Sequence, residues 1–278
     1  MDVRDRPRRR GTSRATRFGP GVQTRTLPRL HRQLLQLAPR GTITTAIITR
    51  RVDLTADLWK IRLKPERPFV FMPGQYCTIG TGGVERPYSI ASAPHEEELE
   101  LFIELVQPPH GKLTRLLHQL QEGAAVTLRP QPKGRFAFRP EFRNHVFVAT
   151  VTGIAPFVSM LRSHLHRPTG EPQFHVLEGA SYADEFGYAT EMRDLAATHA
   201  FVHYVPSVSR PGDARNAGWT GATGRINALV EPHLASHALA PDETCIYACG
   251  HPAMIDDVRE RLGGAYTVEL ERFWTDAV

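Results

Sequence analysis

Cysteine is scarce in this chain: three in 278 residues, Cys77, Cys245 and Cys249. They are too few and too scattered for a disulfide framework. No two have the C-x-x-C spacing, which argues against a zinc ribbon and against a plant-type iron–sulfur cluster. This points to a reducing compartment, the cytoplasm, and to any redox cofactor being held without cysteine ligands. Long apolar runs are missing too. None approaches the ~20 residues needed to span a bilayer, and without an apolar h-region no secretory signal is expected. Acidic residues are rare in the first 40 positions, where eleven Arg stand against two Asp for a net +9. The whole chain carries +5, so the remaining 238 residues carry −4. Met1 to Gly21 reads as disordered, and Leu27, Leu30, Leu34 and Leu37 mark a short basic amphipathic helix. Three readings of this 1–40 arm stay open: a solvated tail or over-extended start, a docking arm for an acidic partner or membrane surface, and a transit peptide. No motif for specific nucleic-acid recognition accompanies it.

What is present is an ordinary globular composition, 41% apolar and 23% charged, long enough for two domains with their own cores. Residues 41–141 show short β-branched runs between Gly/Pro turns: 42–50, 58–63, 76–79, 86–92, 126–128 and 136–138. Leu99 to Val106 alternates as a half-exposed strand. Such a set predicts an antiparallel barrel or sandwich. Residues 142–278 alternate strands (145–150, 174–178, 200–205, 244–248) with helices (156–166, 186–198, 224–236, 251–262), the signature of a parallel sheet with crossovers. Ligands of such sheets bind beyond the carboxyl ends of the strands.

Within the first region, the stretch Arg86-Pro87-Tyr88-Ser89 carries chemistry. A guanidinium suits a diphosphate, which it grips with two parallel hydrogen bonds. A tyrosine offers a flat face for a planar heterocycle. On a strand, Arg86, Tyr88 and Ile90 share one face and Ser89 takes the other. An ordinary barrel strand is the plain alternative. A helix follows Gly111, over Lys112 to Leu120, whose first-turn N–H groups form an anion site.

Arg-x-Tyr-Ser followed by small residues resembles the flavin-binding signature of the ferredoxin–NADP reductase family, in its bacterial form. Gly111-Lys112-Leu113-Thr114 and Pro132-Lys133-Gly134-Arg135-Phe136 resemble two further motifs of that family, in order. The resemblance implies a two-domain fold, with an FAD-binding antiparallel β-barrel (41–141) and an NADP-binding α/β domain (142–278). It implies that Arg86 holds the FAD pyrophosphate, Tyr88 packs on the isoalloxazine and Ser89 sits near its N5. Lys112, Leu113 and Thr114 complete the diphosphate cradle through backbone N–H groups and the Thr114 hydroxyl.

Four more segments resemble the family's coenzyme side. Thr150 to Pro156 resembles the T-G-T-G-x-A-P loop that meets the NADP pyrophosphate, implying contacts from Thr152 and Gly153, with Val151 in place of the first glycine. Ser209-Arg210 and Gly224-Arg225 match elements that enclose the adenosine 2′-phosphate, although Ser181 stands where family members often have arginine. Cys249-Gly250-His251-Pro252 resembles a segment beside the nicotinamide, where Cys249 positions the ring instead of attacking it. Glu269 to Trp274 resembles a terminus whose aromatic, here Phe273 or Trp274, covers the flavin. The implied activity is that of an FAD-dependent oxidoreductase. It would move electrons between NADP(H) and a one-electron carrier, ferredoxin or flavodoxin, by hydride transfer between nicotinamide and flavin N5. Two other readings stay open: an NAD(P)H-dependent reductase component of an oxygenase, and an FAD-binding electron-transfer subunit without its own NADPH activity.

Overall fold

The computed structural model describes residues 43–108 and 110–272, so the basic arm, Phe273 and Trp274 lie outside the described residues. The described residues form two six-stranded sheets. The first contains β1 (Thr44–Asp53), β2 (Leu58–Pro65), β3 (Tyr76–Thr81), β4 (Val84–Ser89), β5 (Leu99–Glu104) and β6 (Ala125–Leu128), ordered β4-β3-β6-β1-β2-β5. Every pairing is antiparallel. Just past β4, the Ala91 N–H donates to the Glu100 carbonyl at 2.8 Å, linking the two ends of the order and nearly closing a barrel. Inward residues such as Trp59, Ile61, Leu63, Ile79 and Leu101 fill it. Full burial of each such aliphatic chain contributes about 1.5–3 kcal/mol. Helix α1 (Lys112–His118) stoppers the barrel with Leu113 and Leu117, four residues apart on one face.

The second sheet is parallel throughout: β7 (Asn144–Thr150), β8 (Gln173–Ala180), β9 (Val202–Val208), β10 (Ala222–Thr223), β11 (Thr244–Cys249) and β12 (Thr267–Glu271). Their order is β10-β9-β8-β7-β11-β12. Helices α2 (Ala155–His166), α3 (Ala189–Thr198), α4 (Ile226–Ser236) and α5 (Pro252–Leu262) make the crossovers. From β7 the chain first builds outward through β8, then returns to add β11 on the other side. The strand order therefore reverses between β7 and β11, and a crevice opens beyond their carboxyl ends.

Two expectations change. Strand β5 is not half-exposed: Leu99 to Ile103 are all buried. The α/β part covers its outer face, and Glu100 is accommodated there by Arg62 at 3.0 Å, Arg162 at 3.5 Å and the Tyr188 hydroxyl at 2.7 Å. Burial pushes the Glu100 carboxyl up, but Arg162, Tyr188 and Arg62 outweigh it, so the net shift is downward. Residues 136–138 form no strand. Phe136 packs against Phe157 and Tyr247, and Phe138 stacks on His145 at 4.1 Å. Just past them, the Tyr247 hydroxyl accepts from the Arg139 N–H at 2.9 Å. The segment is a strap that carries barrel side chains into the core of the parallel sheet. One continuous cluster holds Leu58, Ala91, Phe102 and Phe136 together with Phe147, Phe157 and Tyr247.

A candidate flavin and nicotinamide cleft

Where barrel and sheet meet, a cleft of about 870 Å³, counting its open mouth, is lined by Arg86, Tyr88, Ser89, Gly111, Leu113, Thr114, Thr152, Gly153 and Gly250, among others. Residues from four separate sequence motifs thus share one space. On the barrel side, β4 pairs, among the described strands, with β3 alone, in the register Ile79↔Arg86, Cys77↔Tyr88 and Tyr76↔Ser89. The cleft runs along this strand's free edge, so consecutive residues reach it. Ser89 therefore shares the cleft with Arg86 and Tyr88, contrary to the strict alternation expected from sequence, whereas Ile90 is buried. The Arg86 side chain is exposed and donates to the Glu85 carbonyl at 2.7 Å. The neighbouring carboxylate of Glu85 is committed to Arg129, at 2.6 and 2.9 Å, leaving the Arg86 charge facing the cleft. Burial drives the Tyr88 phenol far above its usual range, Cys77 adding to this and Arg86 opposing it, so the ring stays neutral.

The turn into α1 depends on glycine. A Cβ at Gly111 would lie 1.6 Å from the Val106 carbonyl oxygen. The Thr114 hydroxyl accepts from the Val106 N–H at 3.1 Å and so holds this loop against the helix start. Leu113 is buried beneath the cleft, and Lys112 is exposed and outside its lining.

On the sheet side, the loops after β7 and β11 press together. A Cβ on Gly153 would stand 2.2 Å from the Cys249 carbonyl oxygen, and one on Gly250 2.1 Å from Thr150 Oγ1. Thr150 Oγ1 accepts from the His251 N–H at 2.7 Å, tying the loops across the switch point. Val151 adopts φ 44°, a left-handed conformation that a β-branched side chain enters at a cost of roughly 1–3 kcal/mol. The substitution noted in the sequence is therefore absorbed as backbone strain. Cys249 does not line the cleft: it is fully buried behind Gly250. Burial, with Glu271 adding to it, holds its thiol well above the usual range, so it is a neutral packing group. Glu271, its register neighbour on β12, is pushed up to about 7 by burial.

A second group lies farther along the same sheet edge. Gly224 N–H donates to the Val208 carbonyl at 2.9 Å, which sets Ser209 beside Arg225, and Arg210 follows; all three side chains are exposed. Arg210 donates to the Tyr182 hydroxyl at 2.6 Å, while the Arg215 guanidinium lies 3.8 Å from the centre of the Tyr182 ring. The Asn216 side chain braces this corner, donating to the carbonyls of Ser181 and Arg210.

Residues 147–260 match the oxidoreductase NAD-binding domain family. Ferredoxin–NADP reductase B of Sorangium cellulosum (strain So ce56) is 32% identical over 207 residues, covering 71% of this chain and 81% of that protein. The chain belongs to the ferredoxin–NADP reductase family. Protein RfbI of Salmonella typhimurium (strain LT2) is 32% identical over 219 residues, 78% of this chain. Those residues are 62% of RfbI, so the chain spans less than two thirds of that relative's length. A solved ferredoxin NADP+ reductase from Neisseria gonorrhoeae, with bound FAD and NADP, shares the fold. Its TM-score is 0.72 at 22% identity, over 84% of this chain and 100% of that one.

Within this reductase fold, sequence reasoning missed Tyr182, Arg215 and Glu271. Arg215 reaches Tyr182 through the short turn Ala214–Asn216, which has no motif of its own. Glu271 had a legible signal, its place in the Glu-rich segment before Phe273, but β12 was not recognised as a strand that would set it beside Cys249.

Proposed function

We propose that this chain is a flavoenzyme of the cytoplasm that binds FAD in the cleft and exchanges electrons between NADP(H) and a one-electron carrier. The observation that carries the reading is the convergence of Arg86, Tyr88, Ser89, Gly111, Thr152, Gly153 and Gly250 on one cleft. The residues present fit a dinucleotide. Its walls offer a cation for a diphosphate, an aromatic face for a ring system, and glycine turns at which side chains are excluded. FAD, when bound, supplies the chemistry by taking a hydride at N5 and releasing electrons singly.

In this reading Arg86 binds the diphosphate, with Lys112, Leu113 and Thr114 contributing the helix start. Tyr88 orients the ring, and the Ser89 hydroxyl holds a hydrogen bond at N5. Thr152, Gly153 and Gly250 admit the nicotinamide, with Cys249 backing the turn. Ser209, Arg210 and Arg225 enclose the 2′-phosphate, which selects NADPH over NADH because a dianion needs cations and a ribose hydroxyl does not. The chain divides accordingly into residues 41–141 for FAD and 142–278 for the coenzyme. Ferredoxin or flavodoxin is the carrier, and the basic 1–40 arm steers such acidic partners to it.

An anaerobic titration with NADPH and NADH in parallel tests the reading. NADPH is expected to bleach the bound flavin and NADH to do so more slowly. A flavin that neither coenzyme bleaches leaves an electron-transfer subunit without its own NADPH activity. Ser89→Ala is expected to slow stopped-flow flavin reduction at least tenfold while FAD content stays unchanged. An unaltered rate would remove Ser89 from its role.

A further inference from the structure

Far from the cleft, four histidines gather on the α4 side of the parallel sheet. His175 on β8 and His203 on β9 are direct cross-strand partners, and their rings stack at 4.5 Å. His233 and His237 are four residues apart at the end of α4, on one face of the helix, with rings 4.1 Å apart. One donor nitrogen from each of His175, His203 and His237 falls within 4.8 Å of the other two.

We propose that His175, His203 and His237 form a binding site for a zinc-class divalent cation, oriented by His233. The hydrogen bonds leave lone pairs where a metal needs them. His175 Nδ1 lies 2.9 Å from His233 Nε2, and its other nitrogen, Nε2, is buried with no hydrogen-bond partner. A buried, unpaired ring nitrogen is costly to leave unmatched, and a metal bond at that atom removes the cost. With the Nδ1 proton donated to His233, Nε2 carries the free lone pair. His237 repeats the pattern: its Nδ1 lies 3.1 Å from the His233 carbonyl, so a proton there leaves Nε2 free. Metal-bound imidazoles are commonly fixed in this way, the second nitrogen bonded to a neighbouring acceptor.

Donor chemistry and geometry set the class of ion. Three imidazoles and no carboxylate disfavour calcium and magnesium and suit Zn²⁺. Bonds of ~2.1 Å in a tetrahedron put ligand nitrogens ~3.4 Å apart, so closing on the ion brings the donor nitrogens together by roughly 1 Å and turns the His175 and His203 rings, now 9° from parallel, toward it. His237 is exposed and His203 half-exposed, which gives the ion an entry path and leaves a fourth position to water. The site lies near the start of β8, five residues and therefore roughly 15 Å from the strand's carboxyl end at Ala180. It pins α4 to two strands and is remote from the flavin cleft, so its role is structural.

The test uses the full-length, flavin-loaded protein stripped with a chelator. Titration with Zn²⁺ against a chromophoric chelator is expected to show one ion per chain with a micromolar or tighter Kd. Zn²⁺ is expected to raise Tm by several degrees, and Co²⁺ to give tetrahedral visible bands. His203→Ala and His237→Ala, at positions open enough to preserve folding, are each expected to weaken binding at least tenfold. The double variant should lose both the Tm shift and the Co²⁺ spectrum, and His166→Ala should change neither. Zn²⁺ binding that survives intact in the double variant, or no binding at micromolar Zn²⁺, overturns the proposal.

Discussion

The barrel wall of the cleft displays its chemistry on a strand, Arg86 to Ser89 held in register by β3. The sheet wall displays loops, Thr150 to Ile154 and Cys249 to His251, tied to each other by the bond from the His251 N–H to Thr150 and anchored in the core through Ile154. A strand edge needs no special backbone to bring consecutive side chains to a ligand. Two loops at a switch point can approach only where side chains are absent, hence Gly153 and Gly250. The barrel wall tolerates changes of side chain but not of the Gly111 turn. The sheet wall does not tolerate added bulk, and at Val151 it holds a strained backbone.

The largest effect expected from this contrast comes from adding one methyl group to either wall. Gly111→Ala and Gly153→Ala each force a Cβ into a backbone carbonyl and are expected to cost more than about 3 kcal/mol. Their consequences should separate. The first should release flavin on gel filtration, and the second should retain flavin while abolishing its reduction by NADPH. If both lose flavin equally, the two walls are not independent.

Next in size is a pH effect centred on the sheet. Glu178 is fully buried and pushed up to about 7 by desolvation, which the Tyr204 hydrogen bond and then Arg193 only partly offset. The folded state therefore holds a proton that the unfolded state releases near the ordinary carboxylate value. Stability falls as pH rises from about 4.5 to 7, by roughly 3 kcal/mol at most. Glu178→Gln should reduce the fall in urea-melt stability across that window, leaving the part contributed by Glu271. The barrel-side Glu100 is shifted the opposite way, and its contribution fades as pH falls through its lowered pKa.

Arg210→Ala and Arg225→Ala test the outer part of the sheet wall. Each is expected to raise the KM for NADPH about 10- to 100-fold, the loss of a charge-assisted contact, with the KM for NADH little changed. A parallel rise for NADH would make these residues general docking groups. The smallest effect belongs to Val151→Gly. Relief of the left-handed strain, offset by added freedom in the unfolded chain, should raise stability by about 1 kcal/mol. The gain is expected in Tm, together with a lower KM for the coenzyme.

The barrel wall was the more legible of the two in sequence, for the same reason. Arg86, Tyr88 and Ser89 are contiguous, and Gly111 announces a backbone that only glycine fits. What escaped detection depends on tertiary covering. Leu99 to Val106 alternates like a surface strand, and nothing local reveals that Arg162 and Tyr188 close over Glu100. Residues 136–138 have the composition of a strand but spend their rings on the neighbouring core. Cys249 was placed at the right turn on the wrong side of it, since a one-residue offset decides between Gly250 in the cleft and Cys249 behind it. The four histidines lie between positions 175 and 237, and the sheet and α4 bring them together.

The strap from Phe136 to Phe138 bears on how such proteins can be recombined. Its rings belong to the fold of one half and to the filling of the other, so the two halves are not interchangeable parts joined at the last barrel strand. A chimera cut just after β6 keeps the plug with Phe157 and Tyr247, and the mismatch moves to where the strap meets the barrel, at the Tyr76–Lys133 bridge. Joining at Arg143, beyond the strap, keeps the plug with its barrel but asks the donor sheet to supply the socket. Shuffling of coenzyme modules onto this barrel is therefore limited less by the cleft than by three residues on the far side of it.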